Sequence, residues 1–166
     1  AKSLKKAKTL AEELGASSML DFRVGDGLSV ICDGEIDTAV IAGMGGFEII
    51  DILTASPLLL KKYVLVPHQN PSELRRYLLN NGYGVTDDYT VRCGKRFYQI
   101  IVASKTDPSH PEYGEFELLY GVRRDETLKL FVENELKKLK VIAALAKGDR
   151  LKETEREISL LEAYES

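Results

Sequence analysis

The feature that most restricts how this chain folds is an uninterrupted apolar run that ends in bare backbone. Residues 38–42 (TAVIA) lead directly into Gly43, Met44, Gly45 and Gly46, and an apolar helix over 47–53 follows. A strand with no polar alternation is buried on both faces, as parallel strands are when helices cover the sheet. The pattern returns at residues 63–67 (YVLVP), where His68, Gln69 and Asn70 lead to Pro71 and Ser72 at the head of a helix over 72–81. Upstream, residues 19–24 (MLDFRV) alternate apolar and polar side chains like a half-buried strand, which Gly25, Asp26 and Gly27 end. Three such passages predict an α/β fold with a mostly parallel sheet.

The remainder departs from this rhythm. A helix is expected over 2–14, and residues 85–92 and 97–103 read as two strands that turn at Cys93, Gly94 and Lys95, forming a hairpin at the far edge of the sheet. Residues 106–114 are polar with two prolines. Beyond them Leu128, Phe131, Val132, Leu136, Leu139, Ile142 and Ala143 recur at helical steps, and Leu151, Ile158 and Leu161 continue after Gly148 and Asp149. This predicts two antiparallel helices, a coiled-coil hairpin, and a division into domains at 1–105 and 115–166.

With 166 residues, 44% of them hydrophobic, the chain has material for one ordinary core and a short appendage. No apolar run approaches the roughly 20 residues that cross a bilayer, so a soluble protein is expected. Cys32 and Cys93 lack CxxC spacing and a neighbouring His, which points to reduced thiols in a cytoplasmic protein and no metal site. A net charge of −3 leaves any RNA contact to local basic patches.

In open parallel sheets, ligands bind beyond the carboxyl ends of the strands. Three loops lie there. Asp26 offers a carboxylate between small residues, able to accept from an amine or ribose hydroxyls; the alternative is a plain turn with a solvated Asp. Gly43, Gly45 and Gly46 allow a ligand to approach the backbone. Gln69 and Asn70 carry amides that read a base edge, and His68 can move a proton, or all three simply cap the next helix. A dinucleotide fingerprint fails because its third glycine falls on Glu48, and no P-loop, nucleophile elbow or His/Cys cluster occurs.

Taken in order, Gly25 to Leu28, Asp37 to Gly46, Gln69 and Asn70 followed by Leu74, Arg75, Tyr77 and Leu78, and then Gly94 to Tyr98 resemble the TrmK family of bacterial tRNA adenine-N1 methyltransferases. The resemblance runs from about residue 1 to 148. It implies a Rossmann-like class I methyltransferase sheet with a C-terminal helical hairpin, and methyl transfer from S-adenosylmethionine to N1 of adenine 22 of tRNA. Carried over, it makes Asp26, Gly27, Ala42, Gly43, Met44 and Gly45 the cofactor contacts. Gly43, Met44, Gln69 and Asn70 become the catalytic set. In the family two further strands precede the point at which this sequence begins, so a truncated chain is expected that by itself holds the cofactor incompletely.

Lys95, Arg96, Lys137 and Lys140 are the expected RNA contacts, with Lys129, Lys138, Lys147 and Arg150 as further cations on the tail. An exposed edge left on strand 38–42 is expected to favour oligomers. Two alternatives stand beside this reading: a class I methyltransferase with another target, and a non-catalytic domain that binds RNA or a protein partner.

Overall fold

The computed structural model describes residues 2–165, and the side chains of residues 4–164. Helix α1 spans Lys2–Glu13 and a 3-10 turn spans Ser17–Met19; the sheet and its helices then run β1 (Thr38–Met44), α2 (Gly46–Ala55), β2 (Lys62–Pro67), α3 (Pro71–Asn80), β3 (Gly84–Cys93) and β4 (Arg96–Ser104). Helices α4 (Glu115–Tyr120), α5 (Glu126–Ala143) and α6 (Asp149–Glu165) complete the described chain.

The strand order is β1-β2-β4-β3, with β1 and β2 parallel and the other two pairings antiparallel. The sheet is therefore mixed, because β4 rather than another parallel strand pairs with β2. The expected strand over 19–24 does not form. Its alternation buries one face only against a neighbouring strand. Here the Arg23 guanidinium instead clips Asp21, the Val30 carbonyl and Glu35 into a loop, leaving Met19 82% and Val24 77% exposed. Without that strand β1 has no outer neighbour among the described residues, and Val40 is 69% exposed.

Ile49 and Leu53 of α2 and Leu74 and Leu78 of α3 cover one sheet face, packed on Tyr63, Leu65, Ile101, Ala103 and Val85. Within this core the Tyr63 hydroxyl donates to the Leu58 carbonyl at 2.7 Å, so a buried polar tip is satisfied. A second core gathers Phe116, Tyr120, Leu128, Val132, Leu136 and Leu161 from α4, α5 and α6. Asp125 starts α5 by accepting from the Leu128 amide at 2.9 Å.

The two cores are joined by a buried ion pair. The Arg75 guanidinium lies wholly buried in α3 and donates twice to Asp88 of β3, at 2.7 and 2.8 Å, and once to the Leu118 carbonyl at 3.0 Å. Tyr113 donates its hydroxyl to the same carboxylate at 2.8 Å. Asp88 points inward because β3 gains one residue between Val85 and Asp87, which reverses its alternation.

Candidate functional site

The ends of β1 and β2 lie side by side. The Met44 carbonyl accepts from the His68 amide at 2.9 Å, and the Gln69 carbonyl accepts from Gly46 at 2.7 Å. The approach is so close that a Cβ on Gly46 would sit 2.2 Å from the Asn70 carbonyl oxygen, which requires glycine there. Gly43 has φ 81° and open space over its Cα, so its bare backbone faces room for a ligand. The structure thus brings Gly43, Met44, Gln69 and Asn70 onto one rim.

Asn70 is the one non-glycine residue at positive φ among those described, φ 53° and ψ 45°. It occupies the N-cap of α3, yet its side chain makes no capping hydrogen bond. The helix-capping alternative for Asn70 is therefore not the arrangement found. His68, Gln69 and Asn70 are all exposed, and their side chains accept or donate no hydrogen bond among the described residues. Asn tolerates the left-handed region better than most residues, and here its amide is left free to meet a ligand.

The N-terminus of α2 is occupied from within the chain. Glu48 accepts from the Gly45 amide at 2.6 Å, placing a carboxylate where a ligand phosphate would otherwise bind. This agrees with the failed dinucleotide fingerprint and suits a ligand without phosphate there.

Asp26 is exposed on its turn, and Gly27 lies against Ile52: an added Cβ would meet the Ile52 side chain at 2.9 Å. Ile52 follows Gly46 by six residues, about 9 Å along the α2 axis. Asp26 and Gly27 therefore sit on the flank of α2, not within the hydrogen-bonded pairing of the other two loops.

Register extends the rim. Tyr63 pairs with Ala103 and Leu65 with Ile101, and the same register continued past the paired residues carries Pro67 toward Gln99 and His68 toward Tyr98. The His68 and Tyr98 rings lie 6.1 Å apart. Since β4 starts at Arg96 and β3 ends at Cys93, the hairpin overhangs the rim. Between this overhang, the start of α3 and helix α5 is a cleft of about 490 Å³ lined by His68, Lys95, Arg96, Tyr98, Gln99 and Asn134, among others. A second groove joins Lys95 to Arg92 and Lys137. Three of the expected RNA contacts, Lys95, Arg96 and Lys137, thus converge, whereas Lys140 pairs with Glu162 at 2.8 Å and lines neither.

The approach of the His68 and Tyr98 rings and the inward Gln99 were missed by sequence reasoning. Counting register back from the β4 strand would have found them, but only once β4 was known to pair with β2.

No described helix is long and apolar enough to cross a membrane, and no His, Cys, Asp and Glu group among the described residues is arranged for a metal.

Comparison with known proteins accords with these motifs. The family model described as TrmK, tRNA (adenine(22)-N(1))-methyltransferase, matches residues 1–163. A tRNA (adenine(22)-N(1))-methyltransferase of Bacillus subtilis is 35% identical over 104 residues, 61% of this chain and 44% of the relative. A putative tRNA methyltransferase of Mycoplasma pneumoniae is 32% identical over 104 residues, 61% of this chain and 49% of the relative. The chain thus matches about half the length of these curated relatives.

Among solved structures, B. subtilis TrmK superposes with a TM-score of 0.76 at 26% identity, covering 96% of this chain and 76% of that one. M. capricolum TrmK in complex with S-adenosylhomocysteine gives 0.81 at 20% identity, with 98% and 76% covered, and bears on the fold alone. The fold is the Rossmann-like methyltransferase fold. From its order of motifs, its rim and these matches, the chain belongs to the TrmK family of tRNA (adenine(22)-N(1))-methyltransferases.

Proposed function

We propose that this chain carries the rim on which a methyl group passes from S-adenosylmethionine to N1 of adenine 22 in tRNA, an activity exercised in the cytoplasm. The observation that carries the reading is the contact of Gly46 with Asn70, which fuses two strand-end loops into one surface with open backbone at Gly43. When bound, S-adenosylmethionine supplies a methyl group activated by a sulfonium.

Ala42, Gly43, Met44 and Gly45 would line its methionine end, and Asp26 and Gly27 its adenosine side. The fit at Gly43 is physical: its left-handed backbone has no atom within 4 Å of a virtual Cβ, leaving room for a flat or extended ligand. Glu48 already fills the anion position of α2, as suits a cofactor with no phosphate.

Adenine N1 carries an in-plane lone pair at neutral pH, so the side chains need not remove a proton before reaction. The bond from N1 to the methyl carbon forms as that from sulfur breaks, and the positive charge moves to the purine. The protein's task is alignment, which is worth several kcal/mol when reacting atoms are held about 3–3.5 Å apart. Gln69 and Asn70, with free amides on the rim, hold the edge of the purine. Because N1 lies on the pairing edge, the base must leave its helix first.

Residues 1–105 are assigned the chemistry. Residues 115–166, with Lys137 and the hairpin cations Lys95 and Arg96, are assigned the grip on tRNA phosphates. Lys140 has a weaker claim, given its ion pair with Glu162.

The test is cofactor binding by the full-length protein, followed calorimetrically. Gly43→Val, which puts a branched side chain over the open backbone at φ 81°, is expected to lower affinity for S-adenosylmethionine tenfold or more. Unchanged affinity in a folded variant would remove Gly43 and its loop from the cofactor site.

A further inference from the structure

Resting on the reading of the rim as a methyl-transfer site, we infer that the cleft beside His68 and Tyr98 holds the nucleotide next to the reacting adenine, splayed out of its helix. Its ring would lie against the two aromatic side chains and its phosphate against Lys95 and Arg96.

Five observations lead there. The cleft, at about 490 Å³, is within the size range of pockets that take a small ligand. Neither the Tyr98 hydroxyl nor the His68 ring makes a hydrogen bond among the described residues, and their rings, 6.1 Å apart, remain available for stacking. Lys95 and Arg96 have no ion-pair partner among the described residues, so the hairpin presents uncompensated positive charge at the mouth. The Gln99 amide nitrogen donates to the Leu119 carbonyl at 3.1 Å, but its oxygen is buried with no partner, an acceptor left over in the cleft wall. On the opposite wall Lys138 is paired with Glu135 at 2.7 Å, which removes the carboxylate as a repulsive charge.

Position decides between the target base and its neighbour. Met44 pairs with Pro67, and Pro67 and His68 form the near wall of the cleft, one strand spacing, about 5 Å, from the glycine loop, while its far wall, with Gln99, Phe131 and Asn134, lies beyond them on β4 and α5. A base whose N1 comes within about 3–3.5 Å of a methyl carbon held against that loop lies on the near side of Pro67 and His68 and cannot also fill the part of the cleft between Tyr98 and α5. The next nucleotide along an extended strand can. Stacking on aromatic side chains tolerates any base, so this site fixes the path of the strand and not its sequence.

The experiment uses the full-length protein and unmodified tRNA with 2-aminopurine placed singly on either side of adenine 22. Binding is expected to quench the probe on one side, and Tyr98→Ala to abolish that quenching and weaken RNA affinity about fivefold or more. Tyr98→Phe, which keeps the ring, should retain both, and Lys95→Gln should lower affinity and reduce its salt dependence. Quenching undiminished in a Tyr98→Ala variant with normal thermal stability, or absent on both sides in the wild type, would overturn the inference. Methyl transfer to N1 is scored separately: transfer without quenching refutes the cleft alone, and quenching without transfer refutes the proposed activity alone.

Discussion

Asn70 joins a structural cost to the role proposed for it on the rim. Its left-handed backbone, φ 53°, is a conformation glycine adopts freely, and its side chain repays nothing to the helix it precedes. Asn70→Gly is therefore expected to leave stability within about 1 kcal/mol of wild type, or slightly higher. Methyl transfer by the full-length protein should nonetheless fall tenfold or more. Denaturant unfolding and initial rates on the same preparation check both halves; an unimpaired rate would remove the amide from the chemistry. Sequence showed the amides of Gln69 and Asn70 but not the strain, since φ depends on how tightly β1 and β2 press their loops together.

Buried tyrosines make a second prediction at this scale. Burial pushes the Tyr113 and Tyr120 hydroxyls well above the usual tyrosine range, and donation to Asp88 and Glu157 adds to the effect. The folded state thus prefers the neutral phenol. The stability this contributes is complete below about pH 10, where an unfolded tyrosine begins to ionise, and is lost as pH rises beyond it. Tyrosinate absorbance should show these groups titrating only with loss of helical circular dichroism. Titration in the folded protein with ordinary tyrosines would contradict the burial.

Among elements, β1 and β2 were legible because their residues are apolar without a break, a pattern that does not depend on neighbours. The half-polar stretch 19–24 was not, since alternation states which face would be buried but not whether a partner strand exists. In β3 the bulge after Val85 reverses the phase, so that Asp88 and Thr90 face inward where simple alternation would place Asp87 and Tyr89. Helix α4 is only six residues long, too short to display a period, and its first turn is secured by Glu117 accepting from the Gly114 amide.

The ion pair of Arg75 with Asp88 was equally hidden, since nothing in a sequence couples two charges 13 residues apart in different elements. Asp88→Asn leaves the buried guanidinium without its counter-charge and should cost about 3–5 kcal/mol in denaturant unfolding. Replacing both partners, Arg75→Met with Asp88→Leu, is expected to cost less than that single change. A double variant destabilised by the sum of two single changes would show that the pair is not coupled.

At the scale of the whole molecule, two cores meet through Arg75, Asp88 and Tyr113, while Phe97 of the hairpin lies 5.2 Å from Phe131 of α5. The helical unit is thereby held under the overhanging hairpin, and one wall of the cleft belongs to each. The general architecture could be read from the order of motifs; the mixed sheet and the cleft could not, because both follow from β4 inserting between β2 and β3. On the other side, β1 has no outer strand among the described residues and Val40 is exposed, and we propose this edge as a place of association. Val40→Lys should reduce self-association of this chain in sedimentation velocity, and a monomer in both forms would show the edge to be inert.

The central claim is that the fused rim of the Gly43 and Asn70 loops delivers a methyl group to a purine nitrogen. The most direct test is to incubate full-length protein with unmodified tRNA and methyl-labelled S-adenosylmethionine, digest the RNA and identify the labelled nucleoside by mass spectrometry. The account predicts 1-methyladenosine arising from position 22, and its loss when Asn70 is replaced. Label in any other nucleoside, or at an atom other than N1, would contradict it.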